Sequence, residues 1–383
     1  MNLAQTLIEA PVLFETREGV DGKRIGIATL NAPRTLNGLS LEMTRLLDAQ
    51  LIAWADDATV ACVVLRGAGE KAFCAGGDLH SLYRSMLDYR ASGSDDITTN
   101  SYAVAFFEEE YRLDHRIHTY PKPLLCWGHG IVMGGGIGLM SGASHRVVTE
   151  RSKLAMPEIT IGLFPDVGGS WLLARVPHGA GLFLALTGAP LNAGDAMRAG
   201  LADVCIESSK ADAVLDALGT QRWTGEAAAD RAALTALLNG MAMKPPAGPL
   251  QAHAEAIEQW VKAGSLEQVV ATIAAAQSDD DPWLQTAQAA LAAGAPGSAR
   301  LSWELQHRAA DLTLAETFRL ECIAALHVAA HGDFAEGIRA LLIDKDRTPH
   351  WNPTTLAQAD ARWADTFFVS PWPDGVHPLA DLS

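Results

Sequence analysis

Up to about Cys205 the chain alternates short β-rich runs with helical ones, and beyond Glu207 that alternation stops. Residues 25–30, 61–66, 124–127 and 145–149 read as strands, since branched and aromatic side chains cluster there between turn formers. Between the first two, residues 40–54 predict a helix, with Ser40 as N-cap and Met43, Leu47, Leu51 and Trp54 along one side. Strands and helices in alternation must bury their apolar faces against each other, which predicts an α/β core with helices packed on sheets. After Glu207, alanine-rich stretches at 226–238, 249–263, 266–277, 281–293 and 313–330 predict helices, with breaks at 244–249 and 294–298. The organisation expected is a core over residues 1–206 and a helical C-terminal domain over 207–383. The amphipathic faces of that domain read as packing surfaces.

A net charge of -16 opposes any partner that needs a basic face, so neither nucleic acid nor an anionic membrane surface is expected. Five cysteines, odd in number and widely spaced, suggest neither a disulfide framework nor a zinc site. The first residues lack the basic start and apolar run of a signal peptide, and no stretch reaches the ~20 apolar residues of a membrane span. A cytoplasmic protein is the expectation. His115 and His118 have helical spacing but no third ligand nearby, so they read as a packed pair and no metal is expected.

Chemistry concentrates in three segments. Met156 to Gly169 sets Glu158 and Asp166 in an otherwise apolar run punctuated by glycine and proline, and a carboxylate kept from water needs a task or a partner. Upstream, Phe73-Cys74-Ala75-Gly76-Gly77-Asp78 and Met133-Gly134-Gly135-Gly136-Ile137-Gly138 form two glycine-rich turns. Small residues let a ligand approach the backbone, and the second turn opens a helix whose dipole favours negative charge. Two bare amides and two acids make a plausible site for acyl chemistry on a thioester oxyanion. No dinucleotide fingerprint, phosphate loop or nucleophile elbow accompanies them, so no nucleotide cofactor and no serine nucleophile is expected. The polar loop at 91–96 is placed to move over the site.

These motifs resemble the crotonase (enoyl-CoA hydratase/isomerase) superfamily. The marks are the two glycine turns, Ala155-Met156-Pro157-Glu158, Ile161-Gly162-Leu163-Phe164-Pro165-Asp166-Val167-Gly168-Gly169 and Phe183-Leu184-Ala185-Leu186-Thr187-Gly188, joined downstream by Asp333 to Asp346. They occur in order in both halves, over roughly residues 12–357. The resemblance implies a ββα superhelical core and a coenzyme A thioester as substrate, with coenzyme A part of that substrate and no separate cofactor. It implies Gly77 and Gly135 as amide donors and Glu110, otherwise a member of a solvated acidic run, as a substrate contact beside Gly76, Asp78 and Gly134. Hydratases of the family carry a second glutamate where this chain has Gly138, and here Asp166 supplies the second acid, as in the family's 3-hydroxyacyl-CoA hydrolases. Hydrolysis of a short 3-hydroxyacyl-CoA, of the 3-hydroxyisobutyryl or 3-hydroxypropionyl type, is therefore the expectation; hydration or isomerisation of an enoyl-CoA is the alternative, and a non-catalytic acyl-CoA-binding protein with structural acids the second. The coenzyme A phosphates need local cations, for which Arg34, Lys71 and Lys122 stand open. Relatives commonly form trimers, so a homo-oligomer is also possible on this reading.

Overall fold

A computed structural model of the chain describes residues 10–373 and 375–383. Among the described residues nine strands lie in two sheets: β1 (Val12–Glu18), β2 (Arg24–Leu30), β3 (Val60–Gly67), β4 (Ala72–Cys74), β5 (Leu124–Gly128), β6 (Ile131–Met133), β7 (His145–Val148), β8 (Lys153–Ala155) and β9 (Val204–Cys205). One sheet runs β1-β2-β3-β5-β7-β9 and the other β4-β6-β8. Only β1 is antiparallel to its neighbour; every other pairing is parallel. The successive pairs β3/β4, β5/β6 and β7/β8 each give one strand to each sheet, which is the expected superhelical ββα repeat.

Alternation along the strands sorts side chains onto the two faces of the large sheet. Val63 and Leu65 join the main core, whereas Cys62 and Val64 join a smaller one built with Val214, Leu218 and Leu234. The four strands expected from sequence are present with ends shifted by a residue or less. β1 escaped that reading because it is an edge strand, largely exposed and carrying Glu15, Arg17 and Glu18.

Helices α1 (Leu41–Asp56), α2 (Leu79–Ser92) and α3 (Ser101–His118) cover the core, and Ser40 caps α1 by accepting from Met43 N–H at 3.2 Å. In the C-terminal half the expected 249–263 helix divides into Pro249–Ala252 and Ala254–Val261, where His253 turns to bond Asp281 and stack on Trp283. The expected break at 294–298 shrinks to Gly294 and Ala295. Pro296 instead opens the helix Pro296–Ala309, at the position where its missing N–H costs nothing. The helix Leu314–His331 packs on α3, and Phe334–Ile338 packs on α2. The main core includes residues from Val12 to Leu379, so the C-terminal helices share it with the sheets.

Candidate active site

The three strands of the small sheet run side by side in one direction, so their C-terminal ends lie at one edge. Each is followed by a turn that carries site residues: β4 by Gly76-Gly77, β6 by Gly134-Gly135 and β8 by Pro157-Glu158. These turns border one cavity of about 670 Å³, a size suited to a small-molecule ligand. All nine expected site residues, Arg34, Gly76, Gly77, Asp78, Glu110, Gly134, Gly135, Glu158 and Asp166, line it.

Gly77 and Gly135 each follow a glycine whose φ lies in the left-handed region, +112° at Gly76 and +50° at Gly134. Only glycine holds such turns without strain. Among the described residues neither amide donates a hydrogen bond to protein. A Cβ built on Gly135 would stand 3.6 Å from Gly77 nitrogen, so the two turns face each other. A side chain at either position would displace its neighbour: a Cβ on Gly77 would lie 2.8 Å from the Phe106 ring, and one on Gly135 2.3 Å from Glu110 Oε1, driving that carboxyl out of its place in the site. Gly135 is also the first residue of helix α4 (Gly135–Ser141), whose free N-terminal amides and dipole favour an anion.

Three buried carboxyl groups, Glu110, Glu158 and Asp166, line the cavity with these amides, and two more, Asp114 and Glu321, lie buried outside the lining. Glu158, in the short 3₁₀ turn Glu158–Ile161, is 4% exposed; its Oε1 lies 3.2 Å from the Cβ position of Gly134 and its Oε2 is buried without a protein partner. Burial, with Asp166 nearby, holds Glu158 well above the usual carboxylate range. Asp166 is 5% exposed and accepts from Tyr111 Oη at 2.8 Å. Burial raises it to about 6, against the Tyr111 bond, which favours its ionised form. Glu110 and Asp114, one turn apart on α3, are 2% and 0% exposed, and both are pushed well up by burial. Neither Asp114 oxygen has a partner among the described residues.

The fifth acid comes from the far end of the chain. Glu321, on the helix Leu314–His331, is fully buried and accepts from Gly168 N–H at 2.7 Å and Ser170 N–H at 2.9 Å. Burial and Asp166 raise it to about 8 despite those two bonds. It thereby closes the start of helix α5 (Gly169–Ala174), directly after the turn that aims Asp166. Val167 in that turn has φ +54° and Gly168 +80°. A β-branched residue in that region is strained by roughly 1–3 kcal/mol and persists only where its surroundings fix it.

The wider sequence expectations sort clearly. Arg34 lines the cavity, but Lys122 Nζ donates to the carbonyls of Trp54 and Asp57, and neither Lys122 nor Lys71 is among the lining residues. Asp78 borders the cavity while its carboxylate caps α2 through Ser81 N–H and Oγ. The loop at 91–96 does not contribute to the lining. His118 bonds Ser141 Oγ and His115 packs edge-on to Phe318. In the acidic run, Glu109 pairs with Arg45 and Glu108 with Arg112, and only Glu110 turns inward. Gly138 is bare for a reason: a Cβ there would lie 2.6 Å from Asp114 Oδ2 and 2.8 Å from Val167 Cβ. The space that a side chain on α4 would fill belongs to an acid from α3.

Sequence reading missed Asp114, Glu321 and the bond from Tyr111. The four-residue step from Glu110 to Asp114 was a usable signal, since it sets both on one helical face. Glu321 gave a weaker one, a lone acid on the face shared by Phe318, Cys322 and Ala325.

The family described as enoyl-CoA hydratase/isomerase matches residues 25–368. A zebrafish (Danio rerio) protein named 3-hydroxyisobutyryl-CoA hydrolase, mitochondrial, is 37% identical over 91% of this chain and 87% of its own length. The human protein of that name is 32% identical over 90% and 86%. Among solved structures, one titled a carnitinyl-CoA dehydratase from Mycobacterium thermoresistibile aligns with TM-score 0.81 and 35% identity, covering 95% of this chain and 97% of its own. Another, titled an enoyl-CoA hydratase from Rhodobacter sphaeroides, aligns with TM-score 0.79 and 33% identity, covering 94% and 97%.

Proposed function

The chain belongs to the enoyl-CoA hydratase/isomerase family, and from that premise we propose that it hydrolyses a short 3-hydroxyacyl-CoA thioester of the 3-hydroxyisobutyryl type. The names of its relatives divide between thioester hydrolysis and the removal or addition of water at a double bond. The observation that carries the hydrolase reading is the acid arrangement. Glu158 and Asp166 border the cavity with two free amides, while α4 bears Gly138, whose side-chain space Asp114 fills. A hydration site of the family's usual kind needs its second acid on α4.

In the proposed reaction the thioester carbonyl oxygen sits between Gly77 N–H and Gly135 N–H. These fixed dipoles meet the negative charge as the carbon becomes tetrahedral, and losing one such donor typically costs ~100-fold to ~1,000-fold in turnover. Glu158 either attacks that carbon to form a mixed anhydride or takes a proton from an attacking water. In both routes the C–S bond breaks and coenzyme A leaves as a thiolate that takes up a proton released from water. On the general-base route water's oxygen enters the acid directly, whereas on the anhydride route water attacks the Glu158 carbon, so the acid leaves with an oxygen from Glu158 and water's oxygen stays in the glutamate. Asp166, held by Tyr111, binds the substrate hydroxyl or positions the water. Arg34 at the cavity supplies a cation for the coenzyme A phosphates. Five unpaired, buried cysteines suit a reducing compartment, and the cytosol is the location proposed.

Thiol release from 3-hydroxyisobutyryl-CoA and loss of crotonyl-CoA absorbance, measured on the same preparation, test the reading. Hydrolysis predicts free thiol from the first with little change in the second. Rapid loss of crotonyl absorbance without thiol release would establish the hydratase instead. Single turnover in oxygen-18 water separates the two routes, because label appearing in Glu158 marks the anhydride.

A further inference from the structure

We infer that Glu321 is a positioning residue for Asp166, so that the C-terminal helical region completes the acid pair. The geometry is direct. Glu321 has no exposed surface, and its two oxygens are spent on two different backbone amides, Gly168 N–H and Ser170 N–H. Those amides belong to the turn that leaves Asp166 through two consecutive residues in the left-handed region. A turn of that kind relaxes unless something outside it fixes the path, and Glu321 is the side chain that bonds it from outside. One turn earlier on the same helix, Phe318 packs on the Tyr111 ring at 5.6 Å between centroids and stands 3.2 Å from the Cβ position of Gly168. The helix therefore fixes the backbone behind Asp166 with Glu321 and backs its hydrogen-bond donor, Tyr111, with Phe318. Glu321 does not border the cavity and touches no reacting atom, so it acts through Asp166.

The inference rests on the hydrolase reading only for its kinetic arm. Glu321→Ala removes both acceptors, and Glu321→Gln keeps one oxygen while presenting an NH₂ group to an amide N–H. We expect kcat on 3-hydroxyisobutyryl-CoA to fall by about 10-fold to 100-fold in E321A and by less in E321Q, with KM within about threefold in both. In a chain already carrying Asp166→Ala, adding E321A should cost less than about twofold, because the two residues act as one unit. A role confined to stability would instead multiply with D166A. Amide exchange provides the second arm: in the full-length chain, exchange at Gly168 and Ser170 should be at least ~10-fold faster in E321A than in the parent, with the large sheet unchanged. If E321A does not fold, E321Q carries both readouts. Multiplicative losses with D166A, unchanged kcat in both variants, or unchanged exchange at 168–170 would overturn the inference. Absence of thiol release by the parent would overturn the functional reading, and the exchange arm would still decide on Glu321.

Discussion

At the scale of single residues, the site works by keeping charge where water does not reach it. Tyr111 is the side chain that donates to Asp166, and its hydrogen bond favours the ionised carboxylate. Tyr111→Phe should therefore raise Asp166 above its value of about 6 and shift the acid limb of the kcat/KM profile to higher pH, with turnover reduced by roughly 10-fold. An acid limb that stays put or moves lower would contradict the assignment. Gly138 is constrained as tightly as any catalytic group. Gly138→Ala drives a methyl against Asp114 and Val167 and should cost roughly 1–3 kcal/mol in urea unfolding. For the same reason Gly138→Glu should not yield a hydratase, which crotonyl-CoA absorbance would check.

At the scale of elements, three short parallel strands bring the three site turns to one edge, and segments from the other half of the chain hold the Glu158 turn from behind. Ala295 N–H donates to Ile159 carbonyl beneath the Glu158 turn, and Gly337 sits so close to that turn that a Cβ would lie 2.3 Å from the Ile161 carbonyl carbon. Gly337→Ala should push the helix Phe334–Ile338 away from the turn, losing about 1–3 kcal/mol of stability together with kcat, as urea unfolding and thiol release would record. Much of this was legible locally. The glycine turns, the acid pair, α1 with its Ser40 cap and the long strands each announce themselves within a few neighbouring residues. The three-residue strands β4, β6 and β8 did not, because so short a run has no periodicity to read. Glu321 was hidden because its reason for being buried is a pair of amides more than 150 positions away in sequence.

At the scale of the whole molecule, the gathered acids couple the site to stability. A carboxyl whose folded pKa is raised binds its proton more tightly in the folded chain, so its contribution is full below the unfolded pKa near 4 and is lost as pH rises through the folded value. Glu321, at about 8, places part of that loss between pH 7 and 8, and Glu110, Asp114 and Glu158, all held high by burial, act in the same sense. Histidines whose pKa values burial lowers, such as half-buried His129 and buried His145, act in the opposite sense but have largely finished below pH 7. Unfolding free energy should thus fall from pH 7 to pH 8, and Glu321→Gln should flatten the decline by up to about 1 kcal/mol per pH unit. A rise over that interval, or no effect of the substitution, would contradict the assigned proton balance. Among the described residues no helix is long and apolar enough to cross a membrane. The account as a whole turns on Glu158 as the acid that meets the thioester carbon or its attacking water. The most direct test is thiol release from 3-hydroxyisobutyryl-CoA by Glu158→Gln, with substrate affinity measured by calorimetry on the same protein. The account predicts kcat lowered by ~1,000-fold or more with affinity within a few-fold of the parent; near-parental turnover would contradict it.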